Sequence, residues 1–168
     1  MRLFVVLGFA ACFLLPFQSQ AAWDIFQSYV IIDAGSGNQF LAGGYNADAA
    51  ATFDASDLGT FEASDVLTLN GGELKTYKNG SSNVCGGNVY YRVYASADTP
   101  GSFNSVALPY DSDLANAGDQ KWDETAAGID LLAGLTAGGT YSRGVYWGLA
   151  GGGRDPAGGG ESTFASHL

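Results

Sequence analysis

Alternating side chains define the clearest strand of the chain, near the end of the stretch VLTLNGGELKTYKNGSSNVCGGNVYYRVYA between Val66 and Ala95. Successive residues of a pleated strand point to opposite faces. The first face would carry Val89, Tyr91 and Val93, and the second would carry Tyr90, Arg92 and Tyr94. Earlier in the stretch, the pattern predicts two strands joined by a turn at Asn70-Gly71-Gly72. The whole stretch is therefore predicted to be a β-meander.

Further strands are predicted on both sides of this stretch. The segment Trp23 to Asp33 is rich in β-branched and aromatic residues, and a second strand from Gln39 to Ala42 is expected to pair back onto it. Another strand is predicted from Phe103 to Leu108, ended by Pro109. A last one is expected from Tyr141 through Trp147.

Two segments are predicted as connections rather than strands. Residues 52 to 62 form a turn-rich connection that Phe53, Leu58 and Phe61 would anchor in the core. Residues 110 to 124, YDSDLANAGDQKWDE, are polar and acidic and predict a loop in which Trp122 is the large apolar residue.

The number of short strands and the absence of a helical period favour an all-β fold, an antiparallel Ig-like or jelly-roll β-sandwich. The segment IDLLAGL from Ile129 is followed by glycines and by Tyr141 at the head of a strand. This order resembles a tyrosine corner, in which the tyrosine hydroxyl bonds back to the upstream backbone.

The ends of the chain set the predicted domain boundaries. A basic start, an apolar run from Leu3 to Phe17 and a small-residue pattern ending at Ala21 predict a cleaved signal peptide over residues 1–21. We therefore expect a secreted or cell-surface protein with no membrane span in the mature chain. The sandwich would occupy residues 22–147. Residues 148–168 are rich in glycine, which predicts a poorly ordered tail or a disturbed last strand.

The composition of the chain disfavours some classes of binding partner and some kinds of catalytic or metal site. The formal net charge of −10 disfavours nucleic acid and anionic membranes, since both attract clustered Lys and Arg. Cys85 would be alone in the mature chain; we expect a small buried side chain, with an intermolecular disulfide as the alternative. The single histidine, His167, lies next to the C-terminus, which disfavours triads and zinc sites built on histidine.

The acidic residues suggest two kinds of site. Hard oxygen ligands from a flexible loop suit Ca²⁺, so a structural calcium ion is the one cofactor we consider. Its candidate ligands are Asp111 and Asp113, together with Asp119 or with the pair Asp54 and Asp57. A glycosidase would need two carboxylates at a defined separation across a cleft, which a linear acidic loop does not indicate.

The aromatic residues suggest a binding surface. Flat rings stack on the C–H faces of sugars while polar neighbours bind the hydroxyls. Tyr90, Arg92 and Tyr94 form such a row on one face of a strand, and Trp122 and Trp147 would extend it if the sheet brings them near. The alternative is that tyrosines on a strand serve packing alone.

Several strings in the chain resemble a β-sandwich accessory module of secreted bacterial multidomain proteins, from marine and Bacteroidetes-like species. These strings are DLGTF at 57–61, LNGGELKTYKNG at 69–80, YYRVY at 90–94, GDQKWDETAAGIDLLAGL at 118–135 and GTY at 139–141. The resemblance covers about residues 57–147 and implies a non-catalytic extracellular role. Such modules have no established ligand, so the resemblance assigns no site residue.

These observations favour a secreted, non-catalytic binding or adhesion module with a polysaccharide or cell-surface glycan as its ligand. The alternative is a self-associating matrix or filament subunit, in which a neighbouring chain adds a strand to a sheet whose last strand is missing. A carboxylate-based hydrolase is the third possibility.

Overall fold

The computed structural model describes residues 23–43, 52–62, 64–79, 84–149 and 160–166, the last range through its backbone alone. The described residues form eleven strands. They are β1 (Trp23–Asp33), β2 (Asn38–Ala42), β3 (Asp57–Phe61), β4 (Thr68–Lys78), β5 (Gly87–Ala95), β6 (Asn104–Leu108), β7 (Tyr110–Asp113), β8 (Gln120–Glu124), β9 (Ile129–Asp130), β10 (Thr140–Leu149) and β11 (Gly160–Ser166). Within the described ranges, no helix is long and apolar enough to cross a membrane.

The strands form two sheets. Sheet A has the order β2-β1-β4-β8-β7, with β9 also paired to β4, and sheet B has the order β3-β11-β10-β5-β6. The paired strands are antiparallel except for β3 and β11, which run parallel. The predicted all-β class, an antiparallel β-sandwich, is confirmed.

Alternate residues of the two sheets meet in one core. Val30 and Leu74 from sheet A and Val89 and Val145 from sheet B belong to the same buried cluster. Trp147 of β10 is fully buried, and its indole Nε1–H donates to the backbone oxygen of Tyr29 in β1 at 3.1 Å. Both apolar packing and a buried hydrogen bond therefore join the two sheets.

The predicted tyrosine corner is present at the start of β10. The Tyr141 hydroxyl donates to the backbone oxygen of Thr136 at 3.0 Å, and the Thr136 backbone N–H donates to the same hydroxyl at 2.8 Å. The Tyr141 side chain is buried. One phenol thus satisfies both backbone groups of a residue in the preceding loop.

The predicted β-meander is wrong. Strand β4 runs straight through Asn70-Gly71-Gly72, and β4 and β5 belong to different sheets. Gly71 has a φ of +127°, and a Cβ at this position would collide with the backbone oxygen of Glu124 in β8. Gly71 is therefore required by a β-bulge and by the close approach of β8. An Asn-Gly pair is also typical of a turn, so the sequence pattern alone does not distinguish the two cases.

Both predicted connections contain strands. Residues 110–124 include the antiparallel strands β7 and β8, and residues 52–62 include β3. Phe53 and Phe61 are buried as expected, and Leu58 packs against the core. The acidic side chains of β7 and β8 concealed these strands, because a strand at the surface tolerates charge on its outer face.

The C-terminal part differs from the expectation of a missing strand. Strand β10 continues to Leu149, two residues beyond the predicted boundary. Strand β11 pairs antiparallel with β10 on one side and parallel with β3 on the other. The groove predicted beside β10 is therefore filled by the chain itself. The predicted signal peptide, residues 150–159 and His167 lie outside the described residues.

Candidate functional site

The outer surface of sheet B carries the predicted tyrosine row. Val89, Tyr91 and Val93 of β5 pack in or against the core, so the alternation predicted for this strand is confirmed. The intervening residues point away from the core and are half-buried. Together with two neighbours they form what we call the aromatic face. Its residues are Tyr90, Arg92, Tyr94, Phe103 and Tyr146.

Two tyrosines on adjacent strands form the centre of the aromatic face. Tyr90 of β5 and Tyr146 of β10 are paired in register, and their rings stack with centroids 4.5 Å apart and an interplanar angle of 7°. Phe103 contacts Tyr146 edge to face, with centroids 4.7 Å apart. Tyr146 therefore lies between two other rings, in geometries that aromatic pairs prefer.

Arg92 continues the row along β5. Its guanidinium carbon lies 4.3 Å from the Phe103 ring centroid and 5.3 Å from that of Tyr94. A guanidinium between two rings is held by cation–π attraction and by stacking of its flat surface. These two rings thus fix the orientation of the Arg92 side chain.

Two small residues shape the space around Tyr90. Gly148 lies next to Tyr146 along the outer side of β10, and a Cβ there would stand 3.0 Å from Cε2 of Tyr90. Ser105 of β6 is paired with Tyr90 on the other side and is exposed. Tyr146 covers one face of the Tyr90 ring, and the residue paired with Tyr90 on the side of β6 is the small Ser105.

Trp122 and Trp147 do not belong to the aromatic face, which corrects the predicted site. Trp147 is fully buried on the inner side of β10. Trp122 lies in sheet A, is only 6% exposed, and donates from Nε1 to Oγ1 of Thr76 at 3.2 Å. Both indoles face the core because large apolar side chains lose contact with water there.

Phe103 and Tyr146 were missed by the sequence analysis, although one signal was present. Tyr146 and Trp147 are adjacent in a strand, so only one of them can lie on the outer side of β10. Once Trp147 is assigned to the core, Tyr146 must point outward. Phe103 precedes β6, and the sequence alone has no feature that places its ring over Arg92.

The predicted calcium ligands are spread over both sheets. Asp111 and Asp113 lie in β7 of sheet A, whereas Asp57 lies in β3 of sheet B. Asp57 accepts from the backbone of Gly59 at 2.9 Å, and Asp119 accepts from the Asn116 amide at 3.1 Å. Asp54 is exposed in the turn before β3. The described part of the chain holds no group of three or more His, Cys, Asp or Glu residues placed to bind a metal. Calcium binding stays a prediction.

The outer surface of sheet A carries charges instead of rings, and we call it the charged face. Its residues are Glu73, Lys75, Asp111, Lys121 and Asp123. Nζ of Lys121 lies 2.7 Å from Asp123, 3.4 Å from Asp111 and 3.5 Å from Glu73. The hydrogen bond to Asp123 and the nearby negative charges raise the pKa of Lys121.

Two further polar residues lie apart from both faces. Arg143 is fully buried on the inner side of β10, with its guanidinium carbon 4.7 Å from the Phe53 ring centroid. Burial lowers the pKa of Arg143 to about 9. Cys85 is exposed, so the expectation of a buried side chain is wrong. Cys85 lies two residues before Gly87, the first residue of β5, and is therefore outside the sheet.

No protein-family model matches this sequence, and no curated protein matches it either.

Proposed function

We propose that this protein is a non-catalytic extracellular binding or adhesion module and that the aromatic face binds a glycan. The observation that supports the proposal most strongly is the packed row of four rings and one guanidinium on the outer side of sheet B. The residues of this row include no carboxylate, whereas glycosidic hydrolysis typically uses two.

The row combines the two properties that sugars require. The Tyr90 ring offers an apolar surface toward β6, which suits the C–H face of a sugar ring. The phenols and the Arg92 guanidinium supply polar groups for hydroxyls. Because the rings of Tyr90 and Tyr146 stack on each other, little side-chain freedom remains to be lost on binding.

Glycan-array and polysaccharide pull-down assays on the wild type, Tyr90→Ala and Tyr94→Ala test the proposal. We expect the wild type to bind a glycan, and we expect each substitution to weaken that binding by roughly tenfold or more, since each removes a ring contact. Tyr110→Ala is the matched control, because Tyr110 is 49% exposed but belongs to sheet A. Absence of glycan binding by the wild type, or equal losses in Tyr110→Ala, would contradict the proposal.

A further inference from the structure

Each sheet ends in two edge strands, and the four edges differ in how well they are protected. The edges are β2 and β7 in sheet A and β3 and β6 in sheet B. An edge strand presents unpaired backbone N–H and C=O groups to other chains. Natural proteins block such edges with charges, prolines, bulges or a covering segment.

Three of the edges carry such protection. Strand β7 contains Asp111 and Asp113 and has a shift in its register with β8. Strand β3 contains Asp57 and has a shift in its register with β11. Strand β2 is already paired at its end, where Ala42 forms an isolated bridge with Thr52.

Strand β6 has none of these features. Its sequence, NSVAL, contains no charged residue, glycine or proline. It pairs with β5 over all five residues without a register shift, and in the described part of the chain it pairs with no other strand. Asn104, Ser105 and Ala107 are exposed. The outer edge of β6 therefore has the properties of a strand that accepts a partner.

We propose that β6 pairs antiparallel with β6 of a second copy of this chain, about a twofold axis at Val106. In this register Ser105 faces Ala107 of the partner subunit, and Ala107 faces the partner's Ser105. Both side chains are small and uncharged. A chain with a formal net charge of −10 repels its copies wherever acidic edges meet, and β6 avoids that repulsion.

This pairing would join the two copies of sheet B into one continuous sheet. The two β5 strands would then be three strand spacings apart, about 14 Å, and the two Tyr90 residues would also be offset by two residues along the strands, which places them about 16 Å apart. A glycan of several sugars would span both aromatic faces, whereas a single sugar would reach one. This consequence rests on the proposed function, but the pairing of β6 does not.

Sedimentation over a range of protein concentrations, without glycan, tests the pairing. We expect the wild type to form a dimer and Ala107→Lys to raise the dimer dissociation constant at least tenfold, because two like charges would enter the junction. Thr60→Lys is the matched control, since Thr60 is exposed on β3, the other edge of sheet B; its dissociation constant should stay within twofold of the wild type. A wild type that stays monomeric, or an Ala107→Lys dimer of unchanged stability, would overturn the proposal.

Disulfide trapping tests the register. Ser105→Cys and Ala107→Cys are made separately in a Cys85→Ser background and then mixed under mild oxidation. Opposed antiparallel residues are about 5 Å apart at Cα, within the range of a disulfide. We expect the mixed disulfide to form at least tenfold faster than in a mixture of Ser105→Cys with Thr60→Cys. Equal rates would overturn the register.

The two proposals can fail separately. A monomeric wild type that still binds glycan through Tyr90 would overturn the pairing alone. A dimer that binds no glycan would overturn the proposed function and leave the β6 pairing in place.

Discussion

The two outer surfaces of the sandwich are both formed by side chains on the outer sides of the sheets, but ion pairs stabilise one surface and aromatic contacts stabilise the other. The charged face of sheet A is held by Lys121, whose ammonium contacts three carboxylates. The aromatic face of sheet B is held by ring contacts around Tyr146 and Arg92. Most of these side chains come from alternate residues of paired strands, and Phe103 comes from the segment before β6.

The difference concerns how each face responds to solvent. Ion pairs at a surface are screened by salt and disappear when either partner loses its charge. Contacts between stacked rings depend neither on the salt concentration nor on the protonation of a partner. Lys121 already has its charge balanced within the protein, whereas the Tyr90 ring has one covered face and one facing the edge strand β6. This difference is why we propose the aromatic face, rather than the charged face, as the glycan-binding surface.

Trp147→Ala should have the largest effect, because it removes the link on which both faces depend. The substitution deletes a fully buried indole and leaves the backbone oxygen of Tyr29 without its 3.1 Å hydrogen bond. We expect the free energy of unfolding to fall by about 3–5 kcal/mol in a urea titration. Trp147→Phe, which retains most of the volume, should lose less. A wild-type unfolding midpoint for Trp147→Ala would show that the sheets do not depend on this side chain.

Tyr146→Ala should have an intermediate effect that is confined to the aromatic face. Tyr146 contacts both Tyr90 and Phe103, and two such ring contacts contribute about 2 kcal/mol together. We expect the loss in unfolding free energy to be the same at low and high salt.

Tyr146→Phe is the control for this substitution, because it keeps both ring contacts and removes only the hydroxyl. If the loss in Tyr146→Ala shrinks as salt is added, the face is held by charge, and the distinction between the two surfaces fails.

The sequence predicted the faces of strands better than it predicted the arrangement of strands. Alternation along β5 correctly separated Tyr90 from Tyr91, since the period of a strand is a local property. Asn70-Gly71-Gly72 was misread as a turn, because its glycines accommodate a neighbouring strand that is distant in sequence. Which strands share a sheet depends on such distant contacts.

The candidate site shows the same limit. Tyr90, Arg92 and Tyr94 were found because they lie on one strand. Trp122 and Trp147 were assigned to the row on residue type, and both face the core. Phe103 reaches the row from the segment before β6, and a contact between separate segments leaves no trace in the spacing of residues along the chain.

Lys121→Met should have the smallest effect, and its effect, unlike that of Tyr146→Ala, should depend on salt. The Lys121 side chain is 25% exposed, so its three ion pairs are partly screened. We expect a loss of about 1 kcal/mol in unfolding free energy at low salt and a smaller loss at high salt. Lys75→Met is the control, because Lys75 has a 3.6 Å contact with Glu73 and should contribute less. Equal losses in the two variants would contradict the central role of Lys121.

The pH dependence of the stability difference between the wild type and Lys121→Met gives a sharper test. The pKa of Lys121 is raised in the folded chain from the ordinary value of 10.5, mainly by its hydrogen bond to Asp123. Its contribution is therefore complete below pH 10.5 and is lost as the pH rises through the folded pKa, because the unfolded chain releases the proton first.

The pKa of Asp111 is lowered from 3.8, mainly by the hydrogen bond from Ser112. Its contribution is complete above the ordinary value and is lost as the pH falls through the lowered one. The stability difference between the wild type and Lys121→Met should thus be constant near neutral pH and should shrink at both extremes, whereas the difference for Tyr146→Ala should not change between pH 5 and pH 9. A difference for Lys121→Met that is unchanged in acid would mean that Lys121 does not contribute to the lowered pKa of Asp111.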